Sequence, residues 1–257
     1  AGVEAQWYKN ATSSASATPV AVAEGQKMTG IDATMVKGAS IAGKVTVPAG
    51  IDVSGIYVSA SFADSEYSQP ANTTVSPDGT FRLRGLAAGS YKLKFQGDNN
   101  GAVTQWYNNA ATFADATALD LARGQDLSGI NATMVKGASI SGKVAVPSGV
   151  DLSNVRVSAF PLDSQYAQTG NVQVSSDGSY QLTGLRAGSY KLQFSAYQTA
   201  ALTQWYKNAA SFSTATPVAV TAGQELTGVD AALVKGASIS GKITAPAGVN
   251  LSAVSVN

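Results

Sequence analysis

The amino-acid sequence predicts an all-β protein, built from tandem β-sandwich repeats with a period of 99 residues. Three observations support this fold class: an internal repeat, an apolar pattern of period two, and closely spaced turn residues. Self-similarity at a fixed spacing is the signature of a repeat architecture. Together the observations indicate that one folding unit has been copied along the chain.

Two motifs mark the repeat. Gln-Trp-Tyr begins at residues 6, 105 and 204, and Lys-Gly-Ala-Ser-Ile begins at residues 37, 136 and 235, with no insertion or deletion between copies. This frame predicts the C-terminal part of a repeat at 1–36, complete repeats at 37–135 and 136–234, and the N-terminal part of a repeat at 235–257. Joining the two partial segments would leave the counterpart of residues 60–99 missing, so we interpret the chain as a window of a longer array.

Within a repeat, apolar residues alternate with polar ones. Tyr91, Leu93 and Phe95 flank Lys92 and Lys94, and similar alternation surrounds residues 41–47 and 56–60. Alternation of period two indicates half-buried β-strands. Turn signals such as Pro-Asp-Gly at 77–79 separate the strands. Seven to eight short strands in each repeat predict a β-sandwich.

The composition narrows the possible functions. The chain contains neither His nor Cys, and its charged residues amount to 13% with a net charge of +1. These absences remove the commonest general base, thiol nucleophiles and most zinc sites, so we expect no catalytic residues, no cofactor and no metal. Basic residues are scattered, which disfavours nucleic-acid binding. No apolar run approaches the ~20 residues of a membrane helix, so we expect no membrane insertion.

Several stretches together resemble the carboxypeptidase regulatory-like domain family. They are GASIAGKV at 38–45, VSA at 58–60, DGTFRL at 78–83, GL at 85–86 and AGSY at 88–91, with copies in the next repeat. The segments 105–117 and 124–131 resemble the second half of such units in large secreted actinobacterial proteins.

The resemblance implies an Ig/transthyretin-like sandwich that is related to the collagen-adhesin B-type domains. It also implies a non-catalytic domain, because members serve as stalks, spacers, adhesin segments or accessory regions of secreted enzymes. We therefore expect an extracellular or cell-surface protein of a Gram-positive bacterium.

The recurrent aromatic pairs are the leading candidate contact residues: Trp7-Tyr8, Trp106-Tyr107 and Trp205-Tyr206. Neighbouring strand side chains point to opposite faces, so one ring of each pair should fill the core while the other lies outside or at a junction. Beside Gln105 and Asn108, an outer ring could stack on a sugar. Packing against the core or the next repeat is the favoured alternative, because aromatic rings are large packing elements.

Related adhesin domains also carry Lys–Asn or Lys–Asp isopeptide bonds. The matching pairs here are Lys44 with Asn131 and Lys143 with Asp230. Alternation argues against such a bond, because Val45 points inward and Lys44 should therefore be solvated, whereas the reaction needs a desolvated amine. The loop GDNNG at 97–101 suggests oxygen ligands for calcium, yet its copy at 196–200 reads AYQTA, which favours a simple turn.

The array itself suggests the function. The link between repeats has no flexible spacer, so neighbouring sandwiches should keep a fixed angle. We expect a semi-rigid stalk or filament whose partners are further repeats or copies of itself, joined end to end, with strand addition as one route. The alternatives are a carbohydrate-binding or adhesin module that contacts polysaccharide through the Trp-Tyr pairs, or an accessory region of a larger secreted enzyme.

Overall fold

The computed structural model describes residues 2–11, 14–197 and 199–246. Residues 247–257 of the predicted fourth segment, and residues 1, 12 and 13 of the first, lie outside the described residues. Two β-sandwiches of the same design follow one another along the chain.

The first sandwich has nine strand segments. They are β1 (Ala39–Thr46), β2 (Tyr57–Phe62), β3 (Ala71–Thr74), β4 (Thr80–Leu86), β5 (Gly89–Gln96), β6 (Gln105–Trp106), β7 (Leu119–Leu121), β8 (Asp126–Leu127) and β9 (Ala132–Thr133).

The second sandwich repeats these segments in the same order. They are β10 (Ala138–Ala145), β11 (Val155–Pro161), β12 (Gly170–Gln173), β13 (Ser179–Leu185), β14 (Gly188–Ala196), β15 (Gln204–Trp205), β16 (Val218–Val220), β17 (Glu225–Leu226) and β18 (Ala231–Ala232).

Each sandwich consists of two sheets. In the first repeat one sheet has β4 antiparallel to β1, with β8 and β9 both parallel to β1. The other sheet runs β3-β2-β5, and both β6 and β7 are antiparallel to β5. Thus β8–β9 and β6–β7 are interrupted edge strands, and counting each once gives seven strand positions. The predicted all-β tandem fold is confirmed.

The core lies between the two sheets and follows the predicted alternation. Tyr91, Leu93 and Phe95 of β5 are fully buried, and the lysines between them are half-buried. Phe81 of β4 meets Phe95 edge to face at 5.6 Å between ring centroids, which ties one sheet to the other. The counterpart pair in the second repeat, Tyr180 and Phe194, lies at 5.8 Å.

Strand β2 departs from simple alternation. Ser59 and Ser61 are buried although they face away from the core. They pair with Lys94 and Lys92 of β5, and that outer face is covered by the segment that carries Trp106 and Phe113. Burial on both faces therefore results from a tertiary cover that a strand pattern alone does not reveal.

Outside the strands, regular structure in the described segments is limited to 3₁₀ turns of three residues. Across residues 2–11, 14–197 and 199–246, no helix has the length and apolar character needed to cross a membrane.

A close approach of main chains requires glycine in β1 and β10. A side chain at Gly43 would overlap the carbonyl oxygen of Ile130, and one at Gly142 would overlap that of Val229. Both glycines therefore let the chain preceding β9 or β18 pass directly over the first strand of the sandwich.

We predict that Gly43→Ala destabilises the first repeat by about 1–3 kcal/mol, because the main chain must shift to admit the methyl group. Urea denaturation of the full chain measures the effect. Gly241→Ala is the matched control, since Gly241 occupies the same position of the repeat and has open space around it. Equal stability of the two variants would contradict the close-packing argument.

Candidate functional site

The Gln-Trp-Tyr motif forms a staple between the two sheets. In the first repeat the carboxamide of Gln105 donates hydrogen bonds to Asn109 Oδ1 at 3.0 Å and to the carbonyl oxygen of Thr133 at 3.3 Å. Asn109 has φ 60°, in the left-handed region, where Asn is among the better-tolerated residues. The amide of Trp106 closes the turn on the carbonyl of Ala110 at 2.9 Å.

Both bonds of the staple recur in the second repeat, and one of them recurs in the first segment of the chain. Gln204 donates to Asn208 Oδ1 at 2.8 Å and to the carbonyl of Ala232 at 3.0 Å. Gln6 donates to the carbonyl of Thr34 at 2.9 Å. The polar residues of this motif therefore hold the fold together.

The aromatic residues of the motif pack on the protein itself in both complete repeats. Trp106 is 3% exposed and meets Phe113 edge to face at 5.2 Å, and Trp205 meets Phe212 at 5.3 Å. Tyr107 and Tyr206 are half-buried against the two cores. Trp7 is 53% exposed and Tyr8 half-buried, while Asn108 is exposed and donates to Thr117 Oγ1 at 3.0 Å.

The lysines considered for isopeptide bonds lie on the surface. Lys44 and Lys143 are exposed, and so are Asn131 and Asp230. The side-chain oxygen of Asn131 accepts a hydrogen bond from the main-chain amide of Lys44 at 2.9 Å, and that of Asp230 from Lys143 at 2.7 Å. These side chains therefore cap main-chain amides at the edge of the sandwich.

The loop at 97–101 is part of the joint between the two complete repeats. Asp98 accepts a hydrogen bond from the hydroxyl of Thr104 at 2.8 Å through its carboxylate. Its carbonyl oxygen accepts one from Thr183 Oγ1 of β13 at 2.6 Å. Within the described part of the chain, no cluster of three or more His, Cys, Asp or Glu residues is placed to hold a metal ion.

Main-chain hydrogen bonds fasten the linker to the repeat that precedes it. The amide of Gly137 donates to the carbonyl of Gly101 at 2.8 Å, and the amide of Val103 donates to the carbonyl of Val135 at 2.9 Å. The linker is therefore paired as an extended segment and is not a free tether.

The same pairing recurs at the flanking boundaries. The Gly38 amide donates to Gly2 at 2.9 Å, and the Gly236 amide donates to Ala200 at 2.7 Å. The amides of Glu4 and Leu202 donate to Val36 and Val234 at 3.0 and 2.9 Å. Three boundaries thus share one main-chain arrangement.

The following repeat holds the linker from its other side. Lys136 forms an ion pair with Glu225 at 2.7 Å, as Lys37 does with Asp126 at 2.9 Å. Gly137 lies so close to the main chain of Gly184 that a side chain on either glycine would collide. Arg186 then donates to the carbonyl of Thr104 across the joint at 2.7 Å.

A groove of about 550 Å³ runs along this joint. Its lining includes Glu66, Lys94, Gln96, Trp106, Gln168 and Arg186, from both repeats. Sequence reasoning missed the groove and the bonds of Thr183 and Arg186, because the corresponding residues of the first repeat are Arg84 and Ala87. Long-range contacts that differ between copies leave no recurrent signal.

The fold and the joint define a tandem β-sandwich repeat protein. The chain belongs to the carboxypeptidase regulatory-like domain family, which matches residues 40–135 and 139–234. The predicted family is confirmed.

Solved structures with similarity to the chain include two bacterial pilins and one further bacterial protein. The TIE protein of Bacillus anthracis is 12% identical with a TM-score of 0.30, over 76% of this chain and 34% of that protein. A streptococcal ancillary pilin is 12% identical with a TM-score of 0.34, over 77% and 62%. The shaft pilin SpaA of Lactobacillus rhamnosus GG is 10% identical with a TM-score of 0.32, over 78% and 99%.

This chain spans about a third of the first of these proteins and under two thirds of the second. Similarity at these values does not extend to function. No curated protein matches the chain.

Asp126 connects the linker to the sandwich in a pH-dependent way. Its carboxylate accepts hydrogen bonds from Ser40, Lys37 and Arg82, and these interactions hold its pKa well below the ordinary value. A pKa lowered by folding stabilises the folded state above the unfolded pKa. The contribution is lost as the pH falls below about 3.9.

We predict that Asp126→Asn lowers the urea midpoint of the first repeat at pH 7, and that the difference from the unmodified chain shrinks as the pH falls below about 4. Denaturation at a series of pH values measures it. Asp120→Asn is the control, because Asp120 is exposed and forms no ion pair among the described residues. A difference that is independent of pH would refute the charge argument.

Proposed function

We propose that this chain is a non-catalytic, extracellular structural protein, part of a semi-rigid stalk or filament at a Gram-positive cell surface. The observation that carries the proposal is the joint, in which the linker is held by the repeats on both sides. A chain of sandwiches fastened in this way spans distance and resists bending.

The strength of the joint supports a fixed angle between repeats. The two side-chain bonds that cross it, Thr183 to Asp98 and Arg186 to Thr104, each end on a main-chain carbonyl. Net contributions of about 0.5–1.5 kcal/mol for the neutral bond and about 1.5–3 kcal/mol for the bond with a charged donor suggest about 2–4.5 kcal/mol in total. Rotation about the joint would also drive Gly184 against the main chain of Asp98.

The non-catalytic part of the proposal comes from the residue inventory. With no His or Cys in the chain, nucleophile activation would need an unusual base. The copies keep the Gln-Trp-Tyr staple and the linker glycine, whereas carboxylates such as Glu66 change between repeats. What recurs serves folding and assembly.

We predict a narrow distance distribution between spin labels placed at Asn72→Cys and Ser176→Cys, two exposed positions in successive repeats. The double change Thr183→Val and Arg186→Ala should broaden the distribution without unfolding either repeat, because it removes the two side-chain bonds across the joint. Pulsed electron paramagnetic resonance measures it, and the absence of native cysteine makes labelling clean.

Arg84→Ala is the matched control, since Arg84 is the exposed counterpart of Thr183 and has no bonding partner among the described residues. A broad distribution in the unmodified chain, or an elongated but freely bending particle in small-angle scattering, would overturn the rod proposal.

Strand addition is the finer part of the proposal and concerns how units join end to end. Residues 237–244 repeat the sequence register of β1 and β10. Ile239 is fully exposed, although its counterparts Ile41 and Ile140 are completely buried. Met28 and Met35 are 38% and 48% exposed, although Met134, the counterpart of Met35, is 1% exposed.

The exposed apolar residues at the two ends of the chain belong to segments whose counterparts pair with each other in a complete repeat. In a complete repeat the strand that matches 237–244 runs parallel to the segment that matches 27–34. The rest of a repeat, either in the same polypeptide or in a second copy, would cover both.

We predict concentration-dependent self-association of this chain, and its loss in Ile239→Asp, because a charge cannot enter the shared core. Sedimentation velocity over a hundredfold concentration range measures it. Ile31→Asp should act from the other side. Ala21→Asp is the control, because Ala21 is exposed and its counterpart in the complete repeat is Asp120, itself an exposed aspartate. A chain that stays monomeric throughout would rule out strand addition between copies.

A further inference from the structure

We propose that the groove at the joint between the two complete repeats binds an uncharged oligosaccharide chain. A groove of about 550 Å³ lies within the usual size range of small-molecule sites. It is bounded by both repeats, so the site exists only where two sandwiches are docked.

Polar side chains line the groove without using their hydrogen-bonding capacity. Glu66 and Gln96 are half-buried, and their side chains make no hydrogen bond or ion pair within the described residues. Arg186 spends one nitrogen, Nη2, on the carbonyl of Thr104, which leaves further N–H donors of its guanidinium. Donors and acceptors that are half-buried and have no protein partner are available to a ligand.

The charges in the groove cancel. Two acidic residues, Glu66 and Asp98, and two basic residues, Lys94 and Arg186, line it together with neutral Gln96. A strongly anionic or cationic ligand would meet repulsion from one pair. A hydroxyl-rich neutral ligand, whose groups both donate and accept, would use all of them.

Aromatic residues also lie at the groove. Phe113 lines it and packs on the buried ring of Trp106. Tyr67 follows Glu66 in the chain, and Tyr166 precedes Ala167, so each of these tyrosines adjoins a groove-lining residue.

These two tyrosines occupy the same position in the two repeats, and they are 95% and 88% exposed. Both rings are therefore available for contact beside the groove. A flat exposed ring suits the apolar face of a sugar unit.

The test uses the full chain in affinity gel electrophoresis against soluble neutral polysaccharides: glucans, mannans, xylans, galactans and glycol chitin, with alginate and heparin as charged comparisons. A hit is then titrated calorimetrically with the corresponding hexasaccharide. We expect retardation by at least one neutral polymer. Tyr67→Ala, Tyr166→Ala and Gln96→Ala should each weaken binding about three- to tenfold.

Matched controls come from the other end of the second repeat. Tyr197→Ala removes a tyrosine that is 78% exposed and lies away from the groove lining. Ser195→Ala alters the counterpart of Gln96. Both variants should bind as the unmodified chain does, and circular dichroism should show every variant folded.

Several results would overturn the proposal. They are no retardation by any neutral polymer, retardation only by the charged polymers, equal loss in the Tyr197→Ala control, or tyrosine variants that change only self-association in sedimentation. The rod proposal stands or falls separately, by the spin-label distances.

Discussion

The structure depends on a short antiparallel pairing between the linker and the loop that precedes it. The hydrogen bonds from Gly137 to Gly101 and from Val103 to Val135 make the linker an edge of the preceding repeat. Once the linker is fixed, the next sandwich begins at a set position, and its Gly184 main chain comes to rest against Gly137. The proposed rod, the groove and the contacts of Arg186 all depend on this pairing, because each needs the two sandwiches in one orientation.

Much of the sandwich could be predicted because its strands obey a local rule. The alternation of Tyr91, Leu93 and Phe95 with lysines predicts one buried face, and the structure has it. Ser59 shows where the rule ends, since it is buried by a segment that lies far along the chain. Short strands at Trp106 and at Leu119–Leu121 could be predicted, but the division of the other edge strand into β8 and β9 could not, because pairing registers depend on the whole sheet.

The candidate site was predictable only where its residues recur. The Gln-Trp-Tyr motif is easily recognised in the sequence, but in the structure its Gln stabilises the fold through the hydrogen bond from Gln105 to Asn109. The contacts at the joint, in contrast, cannot be recognised from a recurrent motif. Thr183 meets Asp98 from 85 residues away, and neither residue is kept in the other copy. Residues that recur in every copy therefore identify the contacts that stabilise each repeat. Residues that differ between copies form the contacts specific to one boundary, and a search for repeats does not find them.

Because main-chain atoms hold the linker, the side chains around it are free to vary. Glu66, Lys94 and Gln96 in one repeat become Gln165, Gln193 and Ser195 in the next, with no change in repeat length. Evolution can therefore rewrite the surface chemistry of each boundary one substitution at a time, while the spacing along the array stays constant. An array of such units would have boundaries at equal spacing, and each boundary could present a different set of side chains.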